Sequence, residues 1–386
     1  MDNTRNSNLY VLFVVGTVSA LGPFVTDFYL PSLPALAGYF STTASLVQLS
    51  LTFSMIGLAA GQLVIGPLSD RYGRKRPLVW SMTVFCLSTI GCLFSANIHA
   101  FLAFRLLQGL AGAGGVVISK SIASDLYEGR ELARFFSMLS AVQGLAPICA
   151  PVLGGILLEY TDWRGIFVVL TGIGILLTLV LFRFRESLLP ADRTKGDIGT
   201  TFRNYRTVLH DRRFMEYVLV QAFAMGVMFA YISASPFIFQ QYFGLSPLAY
   251  SLCFGINALA IMGGSLTVGQ FRSTRKALRV GVQGFLAAGC IVAVALIRGS
   301  VWTVEVSLLV ILFFLGLILP SSTTLALELE RRNSGNASAM LGFLMFLVGG
   351  ALSPLTGLGS IRYPTAAVIV LCCIAAWSAE RRTRHE

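Results

Sequence analysis

Charge is what this 386-residue chain has least of. Only 12% of its residues are Asp, Glu, Lys or Arg, about half the share of an ordinary soluble domain. Histidine is scarcer still, and His99, His210 and His385 lie far apart, so no metal site is expected. The seven cysteines (Cys86, Cys92, Cys149, Cys253, Cys290, Cys372 and Cys373) all fall in apolar stretches with no C-x-x-C spacing. That excludes a disulfide framework and leaves them as small packing residues. No H-E-x-x-H and no G-x-S-x-G occurs, and GLAGAGG at 109–115 lies within an apolar run with no strand pattern before it. Metalloprotease, serine-hydrolase and dinucleotide chemistry therefore have nothing to stand on, and the chain does not read as an enzyme.

What is present is hydrophobic residue, 55% of the chain. It comes in blocks of roughly 20 residues, the length that crosses about 30 Å of hydrocarbon at 1.5 Å per residue. Twelve such blocks can be drawn: 9–37, 46–68, 77–96, 99–122, 132–158, 164–183, 213–240, 247–270, 278–297, 301–327, 335–358 and 363–379. Alternation at a period of 2 is absent, and backbone groups in lipid must bond within their own segment, so the spans are expected to be helices. The turns at 38–45, 96–98 and 241–246 are too short for anything but antiparallel hairpins. One long break, 184–212, carries Pro190, Lys195, Gly196, Asp197 and several Arg. It divides the chain into an N-terminal six-helix bundle (1–183), a linker, and a C-terminal six-helix bundle (213–386).

A net charge of +11 could suggest nucleic acid, but its placement does not. With the N-terminus in the cytoplasm, Arg164, Arg298 and Arg362 fall outside and Arg105 falls within a span; the remaining Lys and Arg are all cytoplasmic. This is the positive-inside pattern, and it places both termini in the cytoplasm. The leading MDNTRNSN precedes an apolar run longer than a signal-peptide core, with no small-residue cleavage site after it, and is expected to remain attached to the first helix.

An ionisable group inside a span costs about 2.5–3.5 kcal/mol on insertion scales, so each needs a reason. Two stand out: Asp27 in span one, within GPFVTDFYLPSLP, and Arg105 in span four, within FRLLQGLAGAGG. Asp27 lies roughly 16 Å inside the outer end of its span. Pro23 and Pro31 flank it at i−4 and i+4, so the backbone there can open and line a cavity. Two readings stand for Asp27: a static salt bridge with Arg105, or a proton or substrate site. A pair that breaks during turnover would serve both. Glu159, Asp162, Glu305 and Glu328 sit near predicted span ends and are expected to reach headgroups or water, which leaves no second acid within the spans.

The most charged turn is 66–78, GPLSDRYGRKRPL, between spans two and three, with Asp70, Arg71, Arg74, Lys75 and Arg76. A faint echo at Gly269 to Lys276 keeps Arg272, Arg275 and Lys276 but has neither the acid nor the second glycine. Two six-span halves of this kind pack about an axis along the membrane normal, with the substrate site between them at mid-depth.

The 66–78 turn resembles the signature loop of major facilitator transporters, G-x-L-[AS]-D-R-x-G-R-[KR]. RLLQG at Arg105 to Gly109 is similar to the R-x-x-Q-G motif of their drug:proton antiporters. GLAPICAPVLGG at 144–155 resembles the antiporter motif of span five, with Pro151, Gly154 and Gly155 present and Ala146 and Ala150 where that motif has glycines. TDFYLPSLP at 26–34, FAYISASPFIFQQYFGLSP at 229–247, LPSSTTLAL at 319–327 and GNASAMLGF at 335–343 resemble the bicyclomycin-resistance (Bcr/CflA) branch.

The resemblance implies proton-coupled efflux of small amphiphilic drugs, chloramphenicol- or bicyclomycin-like, by alternating access in a bacterial inner membrane. No cofactor is implied beyond the proton gradient, and the expected partners are substrate, protons and lipid around a monomer. Asp27 would carry the proton and Arg105 would change partner as it leaves. Asp70 would latch onto the positive N-terminus of span eleven near Asn333 to Ser338, Arg74 would pair with Asp125, Gly73 would permit the turn, and Arg71 belongs to the same loop. Some relatives carry another acid about two turns before the aspartate; Ser19 stands there here, which suggests one proton per cycle and neutral or zwitterionic substrates. Phe24, Gln108, Tyr231, Ser233, Phe237, Asn257, Phe343 and Phe346 are candidate pocket residues, each of which packing alone could also explain. Two other functions remain open: export of a physiological metabolite such as an amino acid derivative or metallophore, and a non-transporting receptor on the same scaffold.

Overall fold

The computed structural model describes residues 8–127, 129–193, 209–330 and 334–383, and among these every regular element is helical. The helices are α1 (Asn8–Asp27), α2 (Leu33–Tyr39), α3 (Ala44–Tyr72), α4 (Lys75–Leu93), α5 (Ile98–Leu126), α6 (Gly129–Leu157), α7 (Trp163–Arg183), α8 (Arg212–Pro236), α9 (Pro247–Thr267), α10 (Thr274–Arg298), α11 (Val301–Leu329), α12 (Ser334–Leu352) and α13 (Arg362–Arg382). With α1 and α2 counted as one interrupted span, 11 of the described segments are long and apolar enough to cross a membrane. The other, α6, is 29 residues long, as α3 and α5 are. The ends depart from the expected blocks by no more than about one helical turn.

The hairpins start where short polar side chains replace the missing intrahelical acceptors. Thr43 accepts from the Leu46 N–H ahead of α3, Asn97 from Ala100 ahead of α5, Ser246 from Ala249 ahead of α9, and Ser273 from Lys276 ahead of α10. Each such cap contributes about 1 kcal/mol. Close packing then follows from glycine. A methyl group at Gly109 of α5 would lie 2.0 Å from the Ser54 carbonyl, and one at Gly57 of α3 would lie 2.2 Å from the Leu106 carbonyl, so α3 and α5 touch backbone to backbone.

The first span of each half changes helix type at a proline. Pro31 has no N–H to offer the Asp27 carbonyl, so α1 stops there; a 3-10 turn at Leu30–Ser32 carries the chain into α2. Pro236 likewise ends α8 and is followed by a π-helical turn, Phe237–Tyr242. The Ser235 hydroxyl bonds back to the Ile232 carbonyl that Pro236 cannot serve, at 3.5 Å.

The two halves are stitched together on the face opposite the 66–78 loop. Ser45 Oγ donates to the Pro354 carbonyl (2.9 Å), Gln48 Nε2 to Ser233 (2.9 Å), Thr52 Oγ1 to Gly350 (2.7 Å) and Gln240 Nε2 to Pro31 (3.0 Å). At the same face the Arg164 guanidinium stacks 4.5 Å over the Tyr39 ring and the Arg362 guanidinium 3.9 Å over Tyr242. Such cation–π pairs are suited to an interface where one end of the side chain is wet.

Candidate functional site

Asp27 is the last residue of α1 and is 94% shielded, its exposure being 6%. The Thr26 hydroxyl lies beside it, and among the described residues it forms no ion pair. The salt bridge to Arg105 is therefore absent in this conformation. Arg105, fully buried in α5, spends its donors elsewhere. Nη1 bonds Gln108 Oε1, Nη2 bonds the Val25 carbonyl at 2.9 Å, and the guanidinium stacks 4.1 Å from the Tyr29 ring. Its Nε has no partner. Gln108 Nε2 passes the network on to Thr89 at 2.8 Å, and the Tyr29 hydroxyl meets Ser50 at 2.9 Å. Arg105 is thus a buried cation satisfied by neutral acceptors, one of which, the Val25 carbonyl, is on the same helix that carries the buried acid.

The 66–78 loop turns at Gly73, whose φ of +90° lies in the left-handed region that a side chain resists. Arg74 Nε then reaches Asp125 Oδ2 at 2.9 Å, and Arg74 Nη1 pairs with Asp70 and donates to Ser69 Oγ at 2.9 Å. Burial alone would lower the Arg74 pKa, but its bonds to Asp125 and Asp70 outweigh that and hold it above the ordinary value. Arg71 stands apart, exposed and 5.6 Å over the Tyr72 ring. Asp70 is half-exposed. Of its expected contact on span eleven, Asn333 lies outside the described residues, and Ser338 is exposed.

Two further members of this loop network carried no signal in the sequence. Glu186, just past α7, accepts the Arg74 N–H (2.7 Å) and the Lys75 N–H (3.2 Å), capping α4 from the linker. Ser187 Oγ donates to Asp125 Oδ2 at 2.9 Å. The first residues of the 184–212 segment thus dock on the charged loop. Nothing in their spacing foretold it, because the partners lie 62 to 112 residues apart.

Pro151, Gly154 and Gly155 lie in the last turns of α6. A methyl group on Gly154 would sit 2.1 Å from the Phe28 carbonyl, and one on Gly155 would sit 2.4 Å from Ser251 Oγ of α9. One side of this segment therefore presses on the break beside Asp27, and the next residue presses on the second half.

The candidate pocket residues separate into groups. Asn257 Nδ2 of α9 donates to the Tyr231 hydroxyl of α8 (3.1 Å) and to Glu305 Oε2 of α11 (3.2 Å). Gln108 belongs to the Arg105 network. Ser233 is part of the seam between the halves, its carbonyl taken by Gln48 and its hydroxyl facing Thr356 at 3.2 Å. Phe24 packs on Phe28 (5.7 Å between ring centres) and Phe346 on Phe229 (5.8 Å); Phe237 is buried at the start of the π turn, and Phe343 is half-buried.

Glu305 corrects the expectation of a solvated span end and of a single intramembrane acid. It is only 6% exposed. Tyr250 of α9, whose hydroxyl meets Ser235 at 3.2 Å, lies within electrostatic reach of both Asp27 and Glu305. Sequence distance from the end of α11 misled here, because α8 and α9 cover the face of that first turn on which Glu305 stands.

The sequence profile of the Major Facilitator Superfamily matches residues 12–354. The chain is 40% identical over 380 residues to an uncharacterized MFS-type transporter, YdgK, of Bacillus subtilis, covering 95% of this chain and 94% of that one. It is 28% identical to a bicyclomycin resistance protein homolog of Haemophilus influenzae (95% and 92% covered) and 28% identical to a chloramphenicol resistance protein of Pseudomonas aeruginosa (90% and 83% covered). Among solved structures, a bacterial homolog of the human lysosomal transporter Spinster superposes with a TM-score of 0.78 at 17% identity, covering 98% of this chain and 99% of that one. A D-xylose–proton symporter superposes at 0.75 with 15% identity, again covering 98% and 99%.

Proposed function

The chain belongs to the Major Facilitator Superfamily, and on that premise we propose that it exports small amphiphilic drugs, neutral or zwitterionic, in exchange for protons. It is a multi-pass membrane transporter of the drug-resistance branch; the proton and the substrate class are the finer reading. The observation that carries this reading is Asp27, a buried acid without a cation partner at the break of α1. An acid so placed binds a proton when its surroundings are dry and loses it when water reaches it, so its charge follows which face is open.

The cycle uses groups already in place. With the seam opposite the loop closed, opening of the loop side is the step that would bring water to Asp27. Deprotonation there frees a carboxylate for Arg105, whose Nε is unpartnered and whose Val25 bond is on the adjoining turn. Gly154 against the Phe28 carbonyl couples that local change to α6, and Gly155 couples it to α9. The Asp70–Arg74–Asp125 network with Glu186 holds the loop face of the first half. We place that face in the cytoplasm of a bacterial inner membrane, on the distribution of Lys and Arg, with the protein acting as a monomer among lipids.

One proton crossing 100 mV releases about 2.3 kcal/mol, and each pH unit adds about 1.4. That suffices for a substrate gradient of tens- to several-hundred-fold. The test is chloramphenicol flux in proteoliposomes under an imposed pH gradient. The reading expects accumulation that collapses when a protonophore is added. Accumulation indifferent to the protonophore would sink it.

A further inference from the structure

The second half contains a carboxyl group that the exchange cycle above does not use. Glu305 lies about 6 Å inside the start of α11, 6% exposed, with Oε2 held by Asn257 at 3.2 Å and Oε1 buried without any partner. Asn257 Oδ1 beside it is also buried and unpartnered. Two neighbouring acceptor atoms without a donor are an expensive arrangement, since each lost hydrogen bond in a dry site costs the full desolvation of its group.

The groups facing Glu305 offer no compensating charge. From α8 comes the Tyr231 hydroxyl, already receiving Asn257. From α9 come Asn257, Tyr250 and Cys253, all neutral. The outer half of α10 supplies one charged residue, Arg298, which makes no ion pair with Glu305 among the described residues. Asp27, beyond Tyr250, is of the same sign. A cavity of about 10 Å³ near by is bounded by Tyr231, Ser235, Val304 and Leu308, and Glu305 does not line it. That is about the room one water needs, and too little for an organic cation.

We infer that Glu305 is a second proton-binding site, held in the second half by Asn257, so that each turnover carries two protons rather than one. A proton on Oε1 removes the isolated charge and turns an unpartnered acceptor into a donor. The expectation of one proton, drawn from Ser19, counts only acids of the first half. Tyr250 lies within electrostatic reach of both acids.

The inference rests on the proton-exchange reading, and two measurements keep their failures apart. Infrared difference spectra of the full-length protein in lipid nanodiscs, taken across pH, count protonated buried carboxyls without any substrate. Glu305→Gln, which keeps the shape and the Asn257 bond, should remove one carboxyl band, and Asp27→Asn should remove a different one. In proteoliposomes with the membrane potential clamped at zero, the chloramphenicol gradient sustained by wild type should change about a hundredfold per pH unit, and by Glu305→Gln about tenfold. A wild-type change of about tenfold, or a Glu305→Gln spectrum that keeps every band, overturns the inference and leaves exchange on Asp27 standing. A sustained gradient that ignores pH altogether overturns the proton-exchange reading, while the band assignment is still read from the spectra.

Discussion

The two buried acids of this transporter are held in opposite ways. In the first half Asp27 sits at a helix break, and a fully buried guanidinium bonded to the same helix is occupied by Gln108, the Val25 carbonyl and the Tyr29 ring. In the second half Glu305 sits inside an unbroken helical turn, is held by the neutral amide of Asn257, and has no cation beside it. The first site is built for a partner exchange: one carboxylate, one cation, and neutral acceptors that can release it. The second is built only to gain or lose a proton in place. The difference teaches that two buried acids can serve one exchange in different ways, one beside groups that can change partners and one by taking up a proton in place.

The same asymmetry appears at the loops. The first half ties Gly73, Arg74, Asp70 and Asp125 into a network capped by Glu186. Its counterpart after α9 has Arg272, Arg275 and Lys276 with no acid among them, and Arg272, Arg275 and Lys276 are all exposed or at the surface. One half carries a braced gate and the other a merely basic turn.

Substitutions that separate the halves put the comparison at risk. The largest effect is expected at Asp27. Asp27→Asn should abolish substrate-driven proton flux, whereas Glu305→Gln should leave flux that is coupled more weakly; equal loss in both would erase the distinction between them. Next, Arg74→Ala should destabilise the protein by about 2 kcal/mol, because it removes a buried guanidinium from part-buried Asp125 and opens the loop network. Arg275→Ala, its echo, should stay within about 0.5 kcal/mol; thermal unfolding in detergent reads both. Gly154→Ala should cost about 1–3 kcal/mol through overpacking against the Phe28 carbonyl, and should lower transport rate more than substrate affinity. The smallest effects belong to the caps. Thr43→Ala and Ser246→Ala, at the starts of the second span of each half, should each cost about 1 kcal/mol, a symmetry expected of the scaffold even where the sites differ.

Much of this molecule is legible in its sequence because lipid allows so few solutions. Long apolar blocks admit only helices, and of the two prolines that flank Asp27, Pro31 marks the break while Pro23 stays inside α1. Asp27 and Arg105 are visible because a charge in mid-span has no cheap explanation. Arg74 with Asp125 is visible through the signature loop. What stays hidden is set by packing between distant segments. Glu305 looks like a span-end residue until α8 and α9 are seen to cover it. Glu186 looks like one acid in a linker until its carboxylate is found on the first N–H groups of α4. That Arg105 is paired with neutral groups rather than with Asp27 is likewise a matter of which rotamer the surrounding helices permit, and composition carries no trace of it.

The central claim is that Asp27 carries the exchanged proton, and substrate-driven proton movement tests it most directly. Full-length protein is reconstituted in liposomes with a pH-sensitive dye inside, and chloramphenicol is added on one side. Wild type should show a proton flux opposite in direction to the drug, and Asp27→Asn, folded as judged by thermal unfolding, should show none. Proton flux of wild-type size in Asp27→Asn would contradict the account.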